Sequence, residues 1–132
     1  FMFQKEMADR IVGKFNTAKY GRLSILSNYR LNIHKKFDVS ANCFFPKPKV
    51  TSSVIYFKPK KNSFYNIKNL DNLEKITSIF FSNRRKMINK SVKKVLKSQK
   101  HWDNINGLNL KQRPSEVTPE KYYEITELFE KN

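Results

Sequence analysis

The segment that most restricts the fold of this chain is Phe44-Phe45-Pro46-Lys47-Pro48-Lys49-Val50, an aromatic pair followed by two prolines that alternate with lysines. Each proline fixes its own φ and disfavours helix at the residue before it, so Phe45 and Lys47 are predicted to be extended. Residues 50–57 are rich in β-branched and aromatic side chains, which is typical of a strand. The sequence therefore predicts a stiff, open loop that leads into a strand.

A stiff loop can hold an aromatic ring in a fixed position. Basic residues beside such a ring favour a polyanion whose bases stack on it. Phe44 is the candidate stacking residue, and Lys47 and Lys49 are candidate contacts to the polyanion. The alternative is that Phe44 and Phe45 are core residues and the prolines only shape a turn, because apolar side chains are usually buried for packing. The residue types alone leave both interpretations open.

The charge of the chain predicts an anionic partner. The 27 Lys and Arg residues exceed the 11 Asp and Glu residues, which gives a formal net charge of +16. Such a charge favours nucleic acid first and an acidic membrane surface second. The excess is uneven, because Val39 to Leu70 contains six lysines and Arg84 to Lys100 contains eight basic residues, and neither stretch has an acid.

Composition argues against several other classes of protein. The single cysteine, Cys43, excludes an internal disulfide framework and fits a reducing, cytoplasmic compartment. This cysteine and the two histidines, His34 and His101, are too widely spaced to predict a metal site, and neither histidine belongs to a catalytic triad pattern. No segment approaches the ~18 apolar residues of a membrane helix. Three glycines cannot supply a glycine-rich nucleotide loop.

The apolar periodicity predicts an α/β part followed by an all-α part. The first part is predicted to hold a short buried strand at residues 1–3, helices at 4–12 and about 18–30, and strands at 31–39 and 50–57. A polar segment, Pro59–Ser63, suggests a domain boundary, so the predicted domains are residues 1–60 and 61–132. The second part is predicted to be helical, with a last helix that starts after Thr118-Pro119.

One predicted helix carries a stripe of lysines. Five of them follow helical spacing and would span ~21 Å; they are Lys86, Lys90, Lys93, Lys97 and Lys100. Arg84 and Arg85 are placed near the start of this helix, where cations oppose the helix dipole, and this costs stability and suggests a use. We interpret the stripe as a contact to RNA or DNA phosphates, since a merely solvated helix face would normally mix acids with bases.

Five motifs in order resemble one enzyme family, the KsgA/RsmA family of bacterial 16S rRNA (adenine-N6,N6)-dimethyltransferases, also called dimethyladenosine transferases. The motifs are Phe1-Met2-Phe3-Gln4-Lys5-Glu6-Met7-Ala8-Asp9-Arg10-Ile11, Tyr20-Gly21-Arg22-Leu23-Ser24, Phe44-Phe45-Pro46-Lys47-Pro48-Lys49-Val50-Thr51-Ser52, Phe81-Ser82-Asn83-Arg84-Arg85-Lys86 and Arg113-Pro114-Ser115-Glu116. The resemblance runs from one end of the chain to the other. Thr51 stands where the family often has Asp.

The resemblance implies a carboxy-terminal fragment: the end of a Rossmann-like methyltransferase domain and a small helical domain that binds RNA and the ribosome. The family's S-adenosylmethionine loop and its Asn-Leu-Pro-Tyr motif would lie upstream, so the fragment alone is expected to be inactive. The intact protein is expected to methylate two adjacent adenines near the 3′ end of 16S rRNA in the small ribosomal subunit. Phe44 matches the aromatic that packs against the target base, and Arg84, Arg85 and Lys86 match a motif with an RNA-facing or structural role.

This chemistry needs an aromatic clamp more than a strong base. The lone pair of adenine N6 is delocalised into the ring, so an enzyme helps by holding the base out of its stack and accepting hydrogen bonds from the amino group. Two alternatives stay open: an erythromycin-resistance-type methyltransferase of 23S rRNA, and a non-enzymatic RNA-binding or ribosome-assembly module. Arg84, Arg85, Lys86 and the pair Arg113-Pro114 favour the small-subunit enzyme over the first alternative.

Overall fold

The chain forms two compact units in the computed structural model, Phe1–Asn62 and Ser63–Asn132. The residues described are 1–43, 51–60, 65–96, 105 and 108–131. In these residues the first unit combines a sheet with helices, and the second is built from helices.

Three antiparallel strands form the sheet of the first unit: β1 (Met2–Gln4), β2 (Leu31–Val39) and β3 (Ser52–Pro59). Their order is β1-β3-β2, so β3 lies in the centre. The structure confirms the strand predicted at 31–39. It shows the next strand from Ser52 to Pro59, two residues later at each end than predicted.

The prediction of a buried first strand is wrong for the residues described. The side chains of Phe1 and Met2 are 83% and 53% exposed, although β1 itself forms as expected. The reason is its position at the edge of the sheet, where β3 pairs with only one of its sides.

Helix α1 (Lys5–Val12) follows β1 without a connecting loop and confirms the predicted first helix. Its start is tied to the beginning of β3, because the Lys5 backbone N–H donates to the Thr51 carbonyl at 2.9 Å. Ala8 and Ile11 lie three residues apart on one helix face and are buried with Ile55 of β3. The helical spacing of apolar residues thus directs α1 onto the sheet.

Helix α2 (Arg22–Asn28) is shorter than the predicted 18–30. The preceding residues form turns instead, with Asn16 at a φ of 68° and the Thr17 hydroxyl donating to the Lys14 carbonyl at 2.6 Å. Short polar side chains of this kind compete with helical hydrogen bonding. The helix begins only after Gly21, whose N–H donates to the Ser24 hydroxyl at 3.1 Å.

The second unit contains α3 (Leu70–Phe81), α4 (Asn89–Val95) and α5 (Pro119–Glu130), with a short 3-10 turn at Pro114–Glu116 before α5. Its core side chains come from all three helices and from the turns between them; they include Leu73, Ile76, Phe80, Ile88, Val92, Leu96, Val117, Tyr122 and Ile125. The predicted start of the last helix after Thr118 is confirmed, although the Thr118 side chain makes no capping hydrogen bond.

Candidate nucleic-acid interface

Six exposed cations lie close together in the sequence of the second unit. Three are in the turn after α3 and three are on α4; they are Arg84, Arg85, Lys86, Lys90, Lys93 and Lys94. We call this set the basic surface. No acidic residue occurs in the sequence from Arg84 to Lys100, so no acid within this stretch offsets the positive charge.

The arginines follow the end of one helix rather than starting another, which corrects the prediction. The Ser82 hydroxyl donates to the Ile79 carbonyl at 2.7 Å, and the Lys86 N–H donates to the Asn83 carbonyl at 3.0 Å, so residues 82–86 form a turn. Arg84 and Arg85 therefore lie just beyond the carboxyl end of α3, where cations complement the helix dipole. The predicted conflict with a dipole does not exist, because α4 begins only at Asn89.

The continuous lysine stripe from residue 86 to residue 100 is also wrong. Lys86 precedes the first residue of α4, and Leu96 ends the helix with an extended backbone at φ −109° and ψ 101°. A helix of seven residues is about 10 Å long, half of the span predicted. Lys97 and Lys100 lie outside the described residues.

Lys94 belongs to the basic surface but was not among the predicted RNA contacts. It follows Lys90 by four residues and Lys93 by one, so all three ammonium groups are on the exposed side of α4. Ser91, Val92 and Val95 form the buried side. The i, i+4 relation of Lys90 and Lys94 is the sequence signal that would have found it.

An aromatic contact chain connects the basic surface to the core. The Arg84 guanidinium carbon lies 5.6 Å from the centre of the Phe81 ring. The Phe81 ring lies 5.8 Å from the ring of Tyr122, which is fully buried. The Tyr122 hydroxyl donates to the Pro114 carbonyl at 2.5 Å. One side of the turn is thus anchored through residues far apart in sequence.

The other end of the turn is held by backbone hydrogen bonds. The Ile88 N–H donates to the Gln112 carbonyl at 2.8 Å, and the Ile88 side chain is buried. The next residues close on themselves, because the Arg113 N–H donates to the Glu116 carboxylate at 3.0 Å and the Glu116 N–H donates to the Arg113 carbonyl at 2.9 Å. The Arg113-Pro114-Ser115-Glu116 motif therefore supports the basic surface structurally, a role that its spacing alone did not reveal.

The predicted base-stacking residue and two of its neighbours, Phe44, Lys47 and Lys49, lie outside the described residues. The chain is described again from Thr51, which lines an open pocket of about 400 Å³ together with Gln4, Lys5, Glu6, Asp9 and Lys19. The Lys5 ammonium lies 3.6 Å from the carboxylates of both Asp9 and Asp38, so its charge is compensated locally. This mixed lining gives the pocket no strong preference for an anion.

The described residues offer little to a metal or a nucleotide cofactor. No group of three His, Cys, Asp or Glu side chains in that part of the chain could hold a metal ion. The glycines found there, Gly13 and Gly21, are eight residues apart and do not form a glycine-rich turn. Nor does any helix in the described ranges have the length and apolar character needed to cross a bilayer. His34 is exposed on β2, and His101 lies outside these ranges.

Comparison with known proteins relates the chain to rRNA methyltransferases. It is 46% identical over 129 residues to Ribosomal RNA small subunit methyltransferase A of Pelagibacter ubique, covering 98% of this chain and 49% of that protein. The protein of the same name from the Wolbachia of Brugia malayi is 40% identical over 121 residues, covering 92% of this chain and 46% of that protein. The chain thus spans about half the length of these relatives.

Two solved structures share the fold. A dimethyladenosine transferase from Plasmodium falciparum superposes with a TM-score of 0.73 at 23% identity, covering 94% of this chain and 54% of that one. The 23S rRNA methyltransferase ErmE superposes with a TM-score of 0.61 at 18% identity, covering 98% and 53%. The family described as Ribosomal RNA adenine dimethylase matches residues 1–131. The chain therefore belongs to the ribosomal RNA adenine dimethylase family.

Proposed function

We propose that this chain is the carboxy-terminal half of an S-adenosylmethionine-dependent rRNA adenine N6,N6-dimethyltransferase. Its substrate is two adjacent adenines near the 3′ end of 16S rRNA, presented by the small ribosomal subunit in the cytoplasm. The family match over residues 1–131 is the observation that carries this proposal. The names of the relatives support the choice of the small subunit.

The proposal divides the work between two parts of the intact protein. Residues 1–60 complete the methyltransferase domain and contribute Phe44, which packs against the target adenine. Residues 61–132 form a helical domain whose basic surface contacts RNA phosphates and so positions the protein without reading sequence. Lys47 and Lys49 beside Phe44, and Lys97 after α4, extend these contacts in the proposal.

The methyl donor is not assigned to any residue of this chain. A donor pocket of the family's kind needs a glycine-rich turn, which the described residues lack. We expect the 132 residues alone to show no S-adenosylmethionine binding in calorimetry and no methyl transfer, with the full-length protein as the positive control. Tight, stoichiometric binding by the 132 residues would contradict this division.

Methyl incorporation into isolated ribosomal subunits tests the reaction. The full-length protein and labelled S-adenosylmethionine are incubated with undermethylated small subunits and, separately, with large subunits. We expect label in the small subunits, at two adjacent adenines that primer extension locates near the 3′ end of 16S rRNA.

A second candidate is methylation of 23S rRNA, which the structural similarity to ErmE favours. Label confined to the large subunits would establish this alternative and overturn the first. Binding to small subunits without any label would instead support a non-enzymatic RNA-binding or ribosome-assembly module.

A further inference from the structure

We propose that Phe81 is a positioning residue for RNA binding: its ring, held in place by Tyr122, fixes the guanidinium of Arg84 for contact with a phosphate. The inference rests on the proposed function, because it assumes that the basic surface meets RNA. It goes further by naming the internal contacts that make one cation of that surface ready before RNA arrives.

The first step is the fixation of Tyr122. Its side chain is fully buried, and its ring packs edge to face against Phe80 with 5.5 Å between centres. Its hydroxyl donates to the Pro114 carbonyl at 2.5 Å. The ring is therefore fixed at both its apolar body and its polar end, which is the usual requirement for a well-ordered buried tyrosine.

The second step is the transfer of this order to Phe81. Phe81 is the last residue of α3, and its ring is tilted by 33° against the Tyr122 ring at 5.8 Å. The side chain is partly buried, so part of the ring remains accessible beyond this contact. Arg84 lies over this ring at 5.6 Å.

The third step concerns the donors of Arg84. A guanidinium is attracted to the face of an aromatic ring, and this contact does not consume its N–H groups in hydrogen bonds. Those N–H groups form a planar fork that matches two oxygens of a phosphate. A guanidinium held on a ring is thus suited to bidentate phosphate contact, and it loses less rotamer freedom on binding.

The backbone on which Arg84 sits is also constrained. Ser82 closes the end of α3, and the Ile88 N–H is bonded to the Gln112 carbonyl at 2.8 Å. The residues between them span a short turn fixed at both ends. Arg85 lies in the same turn and is exposed, but it has no ring contact with a described residue, so it provides a matched control.

A double-mutant cycle on the full-length protein tests the inference. Binding of unmethylated small ribosomal subunits is measured for Phe81→Leu, Phe81→Tyr, Arg84→Gln, Arg85→Gln, and Phe81→Leu combined with each arginine variant. We expect Phe81→Leu to weaken binding about two- to tenfold, the factor for immobilising one flexible side chain. Phe81→Tyr should retain most of the affinity, because it keeps a ring under Arg84.

The cycle separates positioning from folding. Phe81→Leu should have almost no further effect on affinity in the Arg84→Gln background, but its full effect in the Arg85→Gln background, while melting temperatures record any loss of stability separately. An equal effect of Phe81→Leu in both backgrounds overturns the inference and leaves the proposed methyl transfer intact. An Arg84→Gln variant with unchanged affinity also overturns it. Failure of the proposed function would appear elsewhere, as absence of label in small subunits treated with the wild-type protein.

Discussion

Two aromatic residues show how differently single positions can be understood in this chain. Phe81 is described with its neighbours, and its contacts to Arg84 and Tyr122 give it a specific proposed role. Phe44 is known only from its sequence, where the prolines at 46 and 48 predict an extended loop that fixes the ring before a base arrives. Its assignment as the base-stacking residue stays a prediction.

Replacing Phe44 by alanine in the full-length protein should abolish most methylation while folding and subunit binding persist. Base–aromatic stacking contributes about 1–3 kcal/mol, and a misplaced reacting group can slow a reaction about 100-fold. Phe44→Tyr and Phe44→Trp should retain part of the activity, since a flat ring remains. Methyl incorporation into undermethylated small subunits measures the effect.

Phe45 is the matched control for Phe44. If Phe45 is a packing residue, Phe45→Ala should lower the melting temperature more than the rate per folded molecule. A Phe44→Ala protein that methylates normally, or that loses activity only in proportion to folding, would identify Phe44 as a core residue instead.

At the scale of elements, helix ends decide much of this fold. Helix α1 ends where the Gly13 N–H donates to the Asp9 carbonyl at 2.9 Å and the chain turns towards Lys19. A Cβ atom on Gly13 would lie 2.5 Å from the Lys19 carbonyl oxygen and 3.0 Å from that of Arg10. Both are backbone atoms, so neither can move aside as a flexible side chain would.

The Gly13→Ala variant should therefore be destabilised by about 1–3 kcal/mol, the usual cost of overpacking. Urea unfolding followed by circular dichroism measures the change. Gly21→Ala is the control, because the backbone there is extended at φ −177° and accepts any residue. Equal stability of the Gly13→Ala protein and the wild type would show that the turn opens without cost.

A second helix end in the other unit depends on a carboxylate. Glu130, the last residue of α5, accepts the backbone N–H groups of Lys68 and Asn69 at 2.8 and 2.9 Å and the Asn72 amide at 2.8 Å. Burial alone would raise the pKa of Glu130, but these hydrogen bonds outweigh it and lower the pKa below the ordinary 4.5. Glu130 thereby links the end of α5 to the beginning of α3.

A lowered pKa means that the unfolded chain binds this proton more readily than the folded chain. The stabilisation by Glu130 is therefore complete above the ordinary carboxyl value of 4.5 and is lost as the pH falls below it. Glu130→Gln should lower the free energy of unfolding at neutral pH by about 0.5–1 kcal/mol, a modest value because the carboxylate is partly exposed. Urea midpoints at neutral pH and at about pH 3.5, well below that ordinary value, measure the difference between wild type and variant.

The difference between wild type and Glu130→Gln should shrink at the lower pH. Glu74→Gln removes the same charge from an exposed position on α3 and should show little difference at either pH. A gap between wild type and Glu130→Gln that stays constant with pH would contradict the assigned linkage.

For the whole molecule, charge is the dominant property. The net charge of +16 is not spread evenly, and the described part of the second unit carries a basic surface of two arginines and four lysines. Such a surface binds RNA by displacing counterions, so affinity depends on the number of phosphates contacted. Salt dependence therefore counts the contacts that the basic surface makes.

The Lys90→Gln and Lys93→Gln double variant should flatten the salt dependence of small-subunit binding. Each lost contact reduces the slope of log affinity against log salt by roughly 0.7–0.9. Lys75→Gln is the control, because this exposed lysine of α3 lies over the Phe129 ring at 5.5 Å and is outside the basic surface. A slope that is the same for the double variant and the wild type would show that α4 is only solvated.

The sequence by itself determined the elements whose signal is local. The spacing of apolar residues predicted α1, α3 and α5, and alternation predicted β2, because each such pattern repeats within one element and depends on one buried face. The excess of basic residues and the family motifs were likewise readable without any contact between distant residues.

Only the tertiary structure decided where α4 begins and ends, and what holds Arg84. Periodicity extended the lysine stripe through residues 86–100, but a buried Ile88 bonded to Gln112 and an extended Leu96 confine the helix to seven residues. Phe81 and Tyr122 meet although 41 positions separate them in the sequence. Burial brings such side chains together in space, and a local repeat carries no information about the partner that a residue finds across the core.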